Sequence, residues 1–519
     1  MVSVVLAQIS LSVDWNSVAS LITFRSILLL LFGVILGLVV GSVPGLSGSL
    51  ALALAIPFTI NLDALGALAL LIGIYKGSMF GGAMAAIAFG IPGTPSSAPT
   101  VLDGYPMTQK GYPKRALITA HYSGVSADIF SDIVLILTFA PLAVFALRMG
   151  PREMFALMVM ALAILATFAG VSIGRALIGV GVGLILATVG TDPISGNVRM
   201  NFGIPYLRGG IGIMPLIVGL FAMSEIMVMI GSLYKHRIEG RNRKSREVIE
   251  EYRAKSEPND HLTIREWVIL WRETLTGAIT GTIIGAIPGP GATLASYTSY
   301  GIAQGYSRNR GKFGKGEPGG VAAAEAADSA TAGSTLVPLF GLGIPGSVMA
   351  ALFAGALQIQ GITPGPGMLR TDGDLIYAIF ISLMLGSVFM LVVVHYIIPV
   401  YGAMSLLNVR VMIPVLTVLS VLGVYAATNS AEAVILMVAL GTLGYILRAN
   451  QVPLGAVVMA IVIGPPLEAN LRRGLLLSGG EVTYWFEGSL APFLYLMGGA
   501  TAIYLYRTTR MATISATKR

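Results

Sequence analysis

The chain has 519 residues, 55% of them hydrophobic, 11% charged, none cysteine, with a net charge of +8. Soluble domains carry about a quarter charged residues, and a longer soluble chain would still need a wetted surface, so a bilayer is the solvent that fits. The lack of cysteine excludes a disulfide framework and thiolate metal sites, and the basic excess fits cytoplasmic loops of a membrane protein better than a nucleic-acid surface.

In chain order, Met1–Ser20 holds Asp14 but no Lys or Arg, so it lacks the basic start of a secretory signal. It reads as a short outside segment leading into the first span. Ser26–Val40 and, far downstream, Ile376–Val394 are apolar on consecutive positions, a helical pattern rather than the alternation of a barrel strand. At about 20 residues per span, the sequence predicts an all-α polytopic membrane protein of roughly 12 transmembrane helices, several of them broken or re-entrant.

The one long hydrophilic interruption runs from Tyr234 to Arg265 and contains Lys235, Arg237, Arg241, Arg243, Lys244, Arg246, Arg253, Lys255 and Arg265. Lys and Arg set orientation, so this loop is expected in the cytoplasm. The predicted organisation is a first transmembrane repeat over 1–233, a cytoplasmic linker over 234–266, a second repeat over 267–506 and a cytoplasmic tail over 507–519.

The halves repeat each other. Gly41-Ser42-Val43-Pro44-Gly45-Leu46-Ser47-Gly48 corresponds to Gly285-Ala286-Ile287-Pro288-Gly289-Pro290-Gly291, and Gly90-Ile91-Pro92-Gly93-Thr94 to Gly343-Ile344-Pro345-Gly346-Ser347. The separations, Gly41 to Gly285 and Gly90 to Gly343, are 244 and 253 residues; the polar insertion around Ser307–Pro318 absorbs the difference. Two ordered pairs at nearly one spacing indicate duplication. An outside N-terminus with a cytoplasmic linker points to inverted repeats, although basic loops at Lys110–Arg115 and Arg308–Lys315 would both prefer the cytoplasm.

Pro and Gly also kink packed membrane helices, but paired interruptions in corresponding places are the sequence pointer to a transporter binding site. A broken helix frees N–H donors and a positive dipole end for an anion, and carbonyls for a cation. Candidate substrate contacts are therefore Pro44, Gly45, Ser47, Gly48, Pro92, Gly93, Thr94, Pro288, Gly289, Gly291, Thr293, Pro345, Gly346 and Ser347.

Ionisable residues in apolar segments are costly and default to functional candidates. Here they are Lys76, Asp128, Asp132 and Asp328. Counting back from the Ile-Pro-Gly breaks aligns Tyr75-Lys76 with Asp328-Ser329. One reading has Lys76 attract an anionic substrate, with Ser329 nearby, while Asp328 binds a coupling Na⁺ or H⁺; the other has Lys76 and Asp328 neutralise each other. Asp128 and Asp132 share a helix face; together they could bind a cation or share a proton, but they read more readily as carboxylates near the headgroups. Glu225 reads as a helix-end residue. The histidines His121, His236, His261 and His395 form no His-Glu-x-x-His zinc motif, so enzyme chemistry is not expected, and no cofactor is implied.

At these residues the chain resembles the large membrane subunit of the tripartite tricarboxylate transporters. The resemblance rests on Pro92-Gly93-Thr94-Pro95 with Thr100-Val101-Leu102-Asp103-Gly104-Tyr105-Pro106-Met107, and on Asp192-Pro193 with Gly196, Arg199 and Phe202-Gly203. It also rests on Gly219-Leu220-Phe221-Ala222 with Glu225, and on a long match from Gly285 to Gly367 that includes Phe313-Gly314-Lys315-Gly316. It implies an ion-gradient-driven permease of the inner membrane for citrate-like carboxylates. Its partners would be a small four-span membrane subunit and a periplasmic solute-binding protein. A stand-alone anion channel or exporter is the alternative. Where the family has Tyr-Gly-Gly-Ser this chain has Phe80-Gly81-Gly82-Ala83, and where it has paired asparagines this chain has Asp328-Ser329. Lys76 is also unusual for it. These departures point to an altered substrate or coupling ion rather than to citrate itself.

Overall fold

The computed structural model describes residues 14–43, 46–168, 172–192, 194–239, 260, 262–289, 291–398, 409–501 and 503. Pro44, Gly45, most of the 234–266 linker and the 507–519 tail lie outside these. The fold is all-α and 80% helical; among the described residues, paired strands occur only where Gly190–Thr191 meets Val198–Arg199.

In the first half the helices are α1 (Trp15–Leu21), α2 (Phe24–Gly41), α3 (Gly48–Ala55), α4 (Ala64–Phe89), α5 (Ala98–Gln109), α6 (Pro113–Ala146), α7 (Pro151–Phe168), α8 (Ile173–Ala187) and α9 (Ile213–Gly231). The second half contains α10 (Ile264–Ile269), α11 (Trp271–Gly285), α12 (Gly291–Tyr306), α13 (Pro318–Ser334), α14 (Leu336–Leu342) and α15 (Val348–Ile359). It continues with α16 (Met368–Thr371), α17 (Gly373–Ile397), α18 (Val409–Thr428), α19 (Ala431–Ala449), α20 (Leu454–Ser478) and α21 (Leu490–Thr501).

Eight of these are long and apolar enough to cross a membrane: α2, α4, α6, α9, α17, α18, α19 and α20. Four further apolar segments are shorter: α3 with its 3₁₀ extension, α8, α15 and α21. The expected dozen thus appears as eight full-length candidates and several shorter pieces, two of which, α3 and α15, are cut short by Pro-Gly interruptions. Local signals set the ends. Asp63 accepts from Gly66 N–H at 2.9 Å to start α4, and Thr23 accepts from Ser26 N–H at 3.1 Å to start α2. Gly90 and Gly343 end α4 and α14 in the left-handed conformation (φ 67° and 75°).

Similar glycine contacts occur in the two halves of the chain. Helix α2 lies on α4 through Gly33, Gly37 and Gly41, where an added Cβ would fall 2.3, 2.4 and 2.4 Å from the carbonyl oxygens of Leu70, Ile74 and Ser78. Helix α11 lies on α13 through Gly277, Gly281 and Gly285, where a Cβ would meet Ala323 O at 2.7 Å, Ala327 O at 2.4 Å and Thr331 Cα at 3.2 Å. Ala323, Ala327 and Thr331 are the repeat counterparts of Leu70, Ile74 and Ser78. These are small-residue seams that let backbones touch. The two inner partners, α4 and α13, lie at the centre: a hydrophobic window covering most of α4 is 89% buried, and α13 packs against both α4 and α6.

Candidate functional site

Each half carries two interruptions that follow the end of a seam helix. In the first half, α2 ends at Gly41 and α3 restarts at Gly48, while α4 ends at Phe89 and a 3₁₀ turn (Pro95–Ser97) leads into α5. In the second, α11 ends at Gly285 and α12 starts at Gly291, while α13 and α14 run to Leu342 and α15 restarts at Val348. The helices are therefore broken at Pro92, Pro288 and Pro345. Pro44 and Gly45 fall in a gap between described residues, with helix ending before and restarting after them.

The interruptions come together in pairs within each half. Gly93 N–H donates to Gly82 O at 3.4 Å, and a Cβ on Gly93 would sit 2.7 Å from Gly82 Cα and 3.2 Å from Gly41 O. At the matching place, Gly346 N–H donates to Thr335 O at 3.2 Å, and a Cβ there would meet Thr335 O at 2.7 Å and Gly285 O at 3.0 Å. Gly289, held at φ 113°, donates its N–H to Gly346 O at 3.2 Å. No side chain fits at Gly93 or Gly346, which is why glycine stands there.

Contacts between the halves close the ring. Tyr75 on α4 places its hydroxyl 3.0 Å from Thr335 Oγ1, within reach of Ser347. Its repeat counterpart Asp328, on α13, lies beside Ser96 of the first half. Gly48 lies against Ser78 and Met349, and the Pro95–Ser97 turn packs on α12. The described residues flanking the interruptions thus contact α4, α13 and one another across the two halves.

The candidate hydroxyls act locally. Ser47 accepts from Leu50 N–H at 3.2 Å and Ser347 from Ala350 N–H at 3.1 Å, capping α3 and α15. Thr94 Oγ1 meets Ser96 Oγ at 2.9 Å. Each cap satisfies only part of a helix start, and the other first-turn N–H groups remain donors. A Cβ on Gly291 would meet nothing within 4 Å; Pro288 and Thr293 are half-buried at this opening. Ser329 is half-buried against Gly124 on α6.

The charged residues differ from expectation. Lys76 is 3% exposed, and its ammonium lies 2.7 Å from Asp128 Oδ2, 2.7 Å from Asp132 Oδ2 and 2.9 Å from Ser387 Oγ on α17. It pairs with these carboxylates, not with Asp328, and a substrate anion would have to displace one to reach it. Asp128 and Asp132 are 5% and 1% exposed, so their reading as headgroup carboxylates is corrected: an apolar-embedded lysine draws counter-charges inward, because burying it alone costs far more. Asp328 is 1% exposed, and neither carboxyl oxygen makes a hydrogen bond. Glu225 forms an ion pair with Arg448.

Several polar residues that the sequence did not single out as site candidates are held in place here. Glu325, one turn before Asp328 on α13, is 1% exposed and accepts from Thr100. Asp103, fully buried, accepts from Lys315 N–H (3.0 Å), Gly316 N–H (2.8 Å), Glu317 N–H (2.8 Å) and Tyr300 Oη (2.8 Å). It thereby ties the Thr100–Met107 stretch to the Phe313–Gly316 loop. Asp192 collects N–H groups from Ile194 (2.9 Å) and Ser195 (3.1 Å), and Arg472 at 2.6 Å. Those backbone donors, then Arg472, hold its carboxyl well below the usual carboxylate range. Arg199 grips Glu468 through two bonds of 2.6 Å. A cavity of about 490 Å³, mostly apolar, touches the last interruption at Leu342 and Gly343.

The profile of the Tripartite tricarboxylate transporter TctA family matches residues 27–459. An Agrobacterium vitis protein described as the uncharacterized 52.8 kDa protein in the TAR-I ttuC' 3' region is 32% identical over 471 residues, 91% of each chain. A second from the same organism, an uncharacterized protein in the TAR-II ttuC' 3' region, is 32% identical over 218 residues, 42% of this chain and 90% of its own. No solved structure matches.

Proposed function

Because the chain belongs to the TctA family of tripartite tricarboxylate transporters, a transporter family and not an enzyme family, we propose that it is the ion-gradient-driven permease of such a system. In this reading it imports small organic anions of the di- and tricarboxylate class, handed over by a periplasmic solute-binding protein. It works beside a small four-span membrane subunit in the inner membrane. Membership in the family implies a permease role within a tripartite system that has other subunits. The long apolar helices suit a multi-pass membrane protein.

The observation that carries the mechanism is the ring of four interruptions around α4 and α13. A carboxylate there meets the N-terminal ends of α3, α5, α12 and α15, whose N–H donors and dipoles favour negative charge. Gly93, Gly289 and Gly346 let the broken segments pack backbone to backbone, while Ser47, Thr94, Thr293 and Ser347 add hydroxyls at the rim. Asp328, buried beside this ring without a hydrogen bond, is the carboxylate for the coupling cation. The two repeats are inverted in this reading, so that the equivalent interruptions face opposite sides of the membrane.

Uptake of a labelled tricarboxylate into proteoliposomes holding the permease, its small subunit and the binding protein tests this reading. Accumulation should collapse when ionophores dissipate the imposed gradients; uptake indifferent to every gradient would refute it. Asp328→Asn should alter the cation or pH dependence of uptake, and an unchanged dependence would remove Asp328 from the ion path.

A further inference from the structure

The cluster around Lys76 is more elaborate than a lysine and a counter-ion. Helix α4 supplies Lys76, α6 supplies Asp128 and Asp132 one turn apart, and α17 supplies Ser387. Ser387 donates to Asp128 Oδ2 at 2.8 Å while accepting from the ammonium. On α17 the neighbouring Gly386 makes room for the lysine stem: a Cβ there would lie 3.1 Å from Lys76 Cδ. Such a set is built, with each helix shaped to bring its group to one nitrogen.

Its charges do not balance. Two carboxylates and one ammonium leave one negative charge, and Lys76 is the only buried lysine or arginine among the described residues. Both Oδ2 atoms are taken by the ammonium, whereas Asp128 Oδ1 and Asp132 Oδ1 are buried without a hydrogen-bond partner. The other facing groups include no lysine or arginine. On α6, Ser131 Oγ and His121 Nδ1 have no hydrogen-bond partner, and His121 Nε2 meets Leu391 O at 3.4 Å. His395 of α17 lies near His121, Tyr75 lies one residue from Lys76, and Glu325 and Asp328 of α13 add only more carboxyls.

One further positive charge would neutralise the set. A second metal-sized cation beside the ammonium would face a repulsion of about 4 kcal/mol at 4 Å in a protein-like dielectric, and the cavity touching Lys76, His121, Asp128 and Ser329 is only about 10 Å³. A proton needs neither ligands nor space.

We propose that Lys76, Asp128, Asp132 and Ser387 form a proton-binding site in which the two carboxyls share one exchangeable proton and the buried set is neutral. In the permease reading, on which this use of the site rests, that proton is exchanged between the two sides during transport. Charge balance then fixes the number of protons in each variant. The wild type holds one, Asp132→Asn and Asp128→Asn hold none, and Lys76→Met holds two.

Infrared difference spectroscopy on the full chain in phosphatidylcholine–phosphatidylglycerol vesicles at neutral pH counts protonated carboxyls through their C=O stretch. Wild type minus Asp132→Asn should show the loss of one protonated carboxyl, and Lys76→Met should gain one. Equal signals in wild type and both Asp variants would overturn the proposal, as would loss of the wild-type signal when NaCl is raised at constant pH, which would assign the place to sodium. If Asp132→Asn does not fold, Asp128→Asn and Lys76→Met carry the count. The measurement needs no substrate, so its failure leaves the permease reading standing. Failure of that reading would appear instead as gradient-indifferent uptake by a wild type whose infrared count is as stated.

Discussion

Ile91 and Ile344 occupy matching places in the two halves, each just after a left-handed glycine and just before a Pro-Gly pair. Ile91 is 54% exposed and Ile344 1% exposed. Pro92 and Pro95 are likewise exposed, whereas Pro345 and Gly346 are buried. One interruption is open on its outer side, and its twin is sealed under α15 and the Pro364–Gly365 turn, whose Pro364 O would lie 3.2 Å from a Cβ on Gly343. Equivalent sequence has therefore settled into two environments. The lesson is that the repeat fixes local backbone geometry, including the glycine contacts and caps, while exposure depends on what each half packs over it.

The largest effect that could sharpen this contrast comes from filling the sealed interruption. Gly346→Ala would press a methyl into Thr335 O and Gly285 O, both backbone atoms that have nowhere to go. Overpacking of this kind costs about 1–3 kcal/mol, and uptake should fall to background while membrane insertion, read by fractionation, persists. Gly93→Ala also meets backbone, Gly82 Cα at 2.7 Å and Gly41 O at 3.2 Å, but Gly93 is only half-buried beside the exposed Pro92, so the segment can shift outward and should retain a measurable fraction of transport. Equal activity in the two variants would break the comparison.

Next comes Asp103, whose counterpart in the second half is Ala356. The second half thus has no carboxyl at the matching position. Asp103→Asn replaces an acceptor of three N–H groups and a phenol by an amide, at a cost of roughly 3 kcal/mol. Thermal unfolding in detergent should drop by several degrees, with proteolysis near Lys315 accelerated; an unshifted transition would show that the tie is dispensable.

A smaller signal should come from chemistry the chain itself permits. Having no cysteine, it accepts single reporters cleanly. Ile91→Cys should react readily with a maleimide in detergent and Ile344→Cys should react at least tenfold more slowly. Comparable rates would mean that the sealed interruption opens freely.

The smallest effect concerns the Asp192 turn, which the second half lacks. Its depressed carboxyl contributes to stability above the ordinary carboxylate range, and the contribution is lost as pH falls through the lowered folded value. Asp192→Asn should therefore lower the melting temperature slightly at neutral pH, with the gap to wild type closing in strong acid. A gap that widens in acid would reverse the assignment.

Much of this was legible in the amino-acid string because Pro-Gly pairs act through local backbone geometry. The interruptions at Pro92, Pro288 and Pro345 follow from the Pro-Gly pairs alone. The depth of Asp128 and Asp132 was not legible from a single helix face, since depth is set by what packs outside it. A charge count could have paired them with Lys76, the one basic group in a long apolar run. Glu325 was hidden for the opposite reason: it sits in an alanine run whose burial depends on α6 and α11 arriving from elsewhere in the chain. Asp103 stood in a quoted motif, but its partners lie more than 200 residues away.

The glycine seams carry a mechanical consequence. Where two helices touch backbone to backbone, neither can slide along or roll over its partner without losing many short contacts at once, so α2 with α4 and α11 with α13 behave as stiff girders. Any rearrangement that exchanges the open and sealed ends must then bend at the joints between girders, at Gly90–Thr94 and Gly343–Ser347, where the chain is already cut.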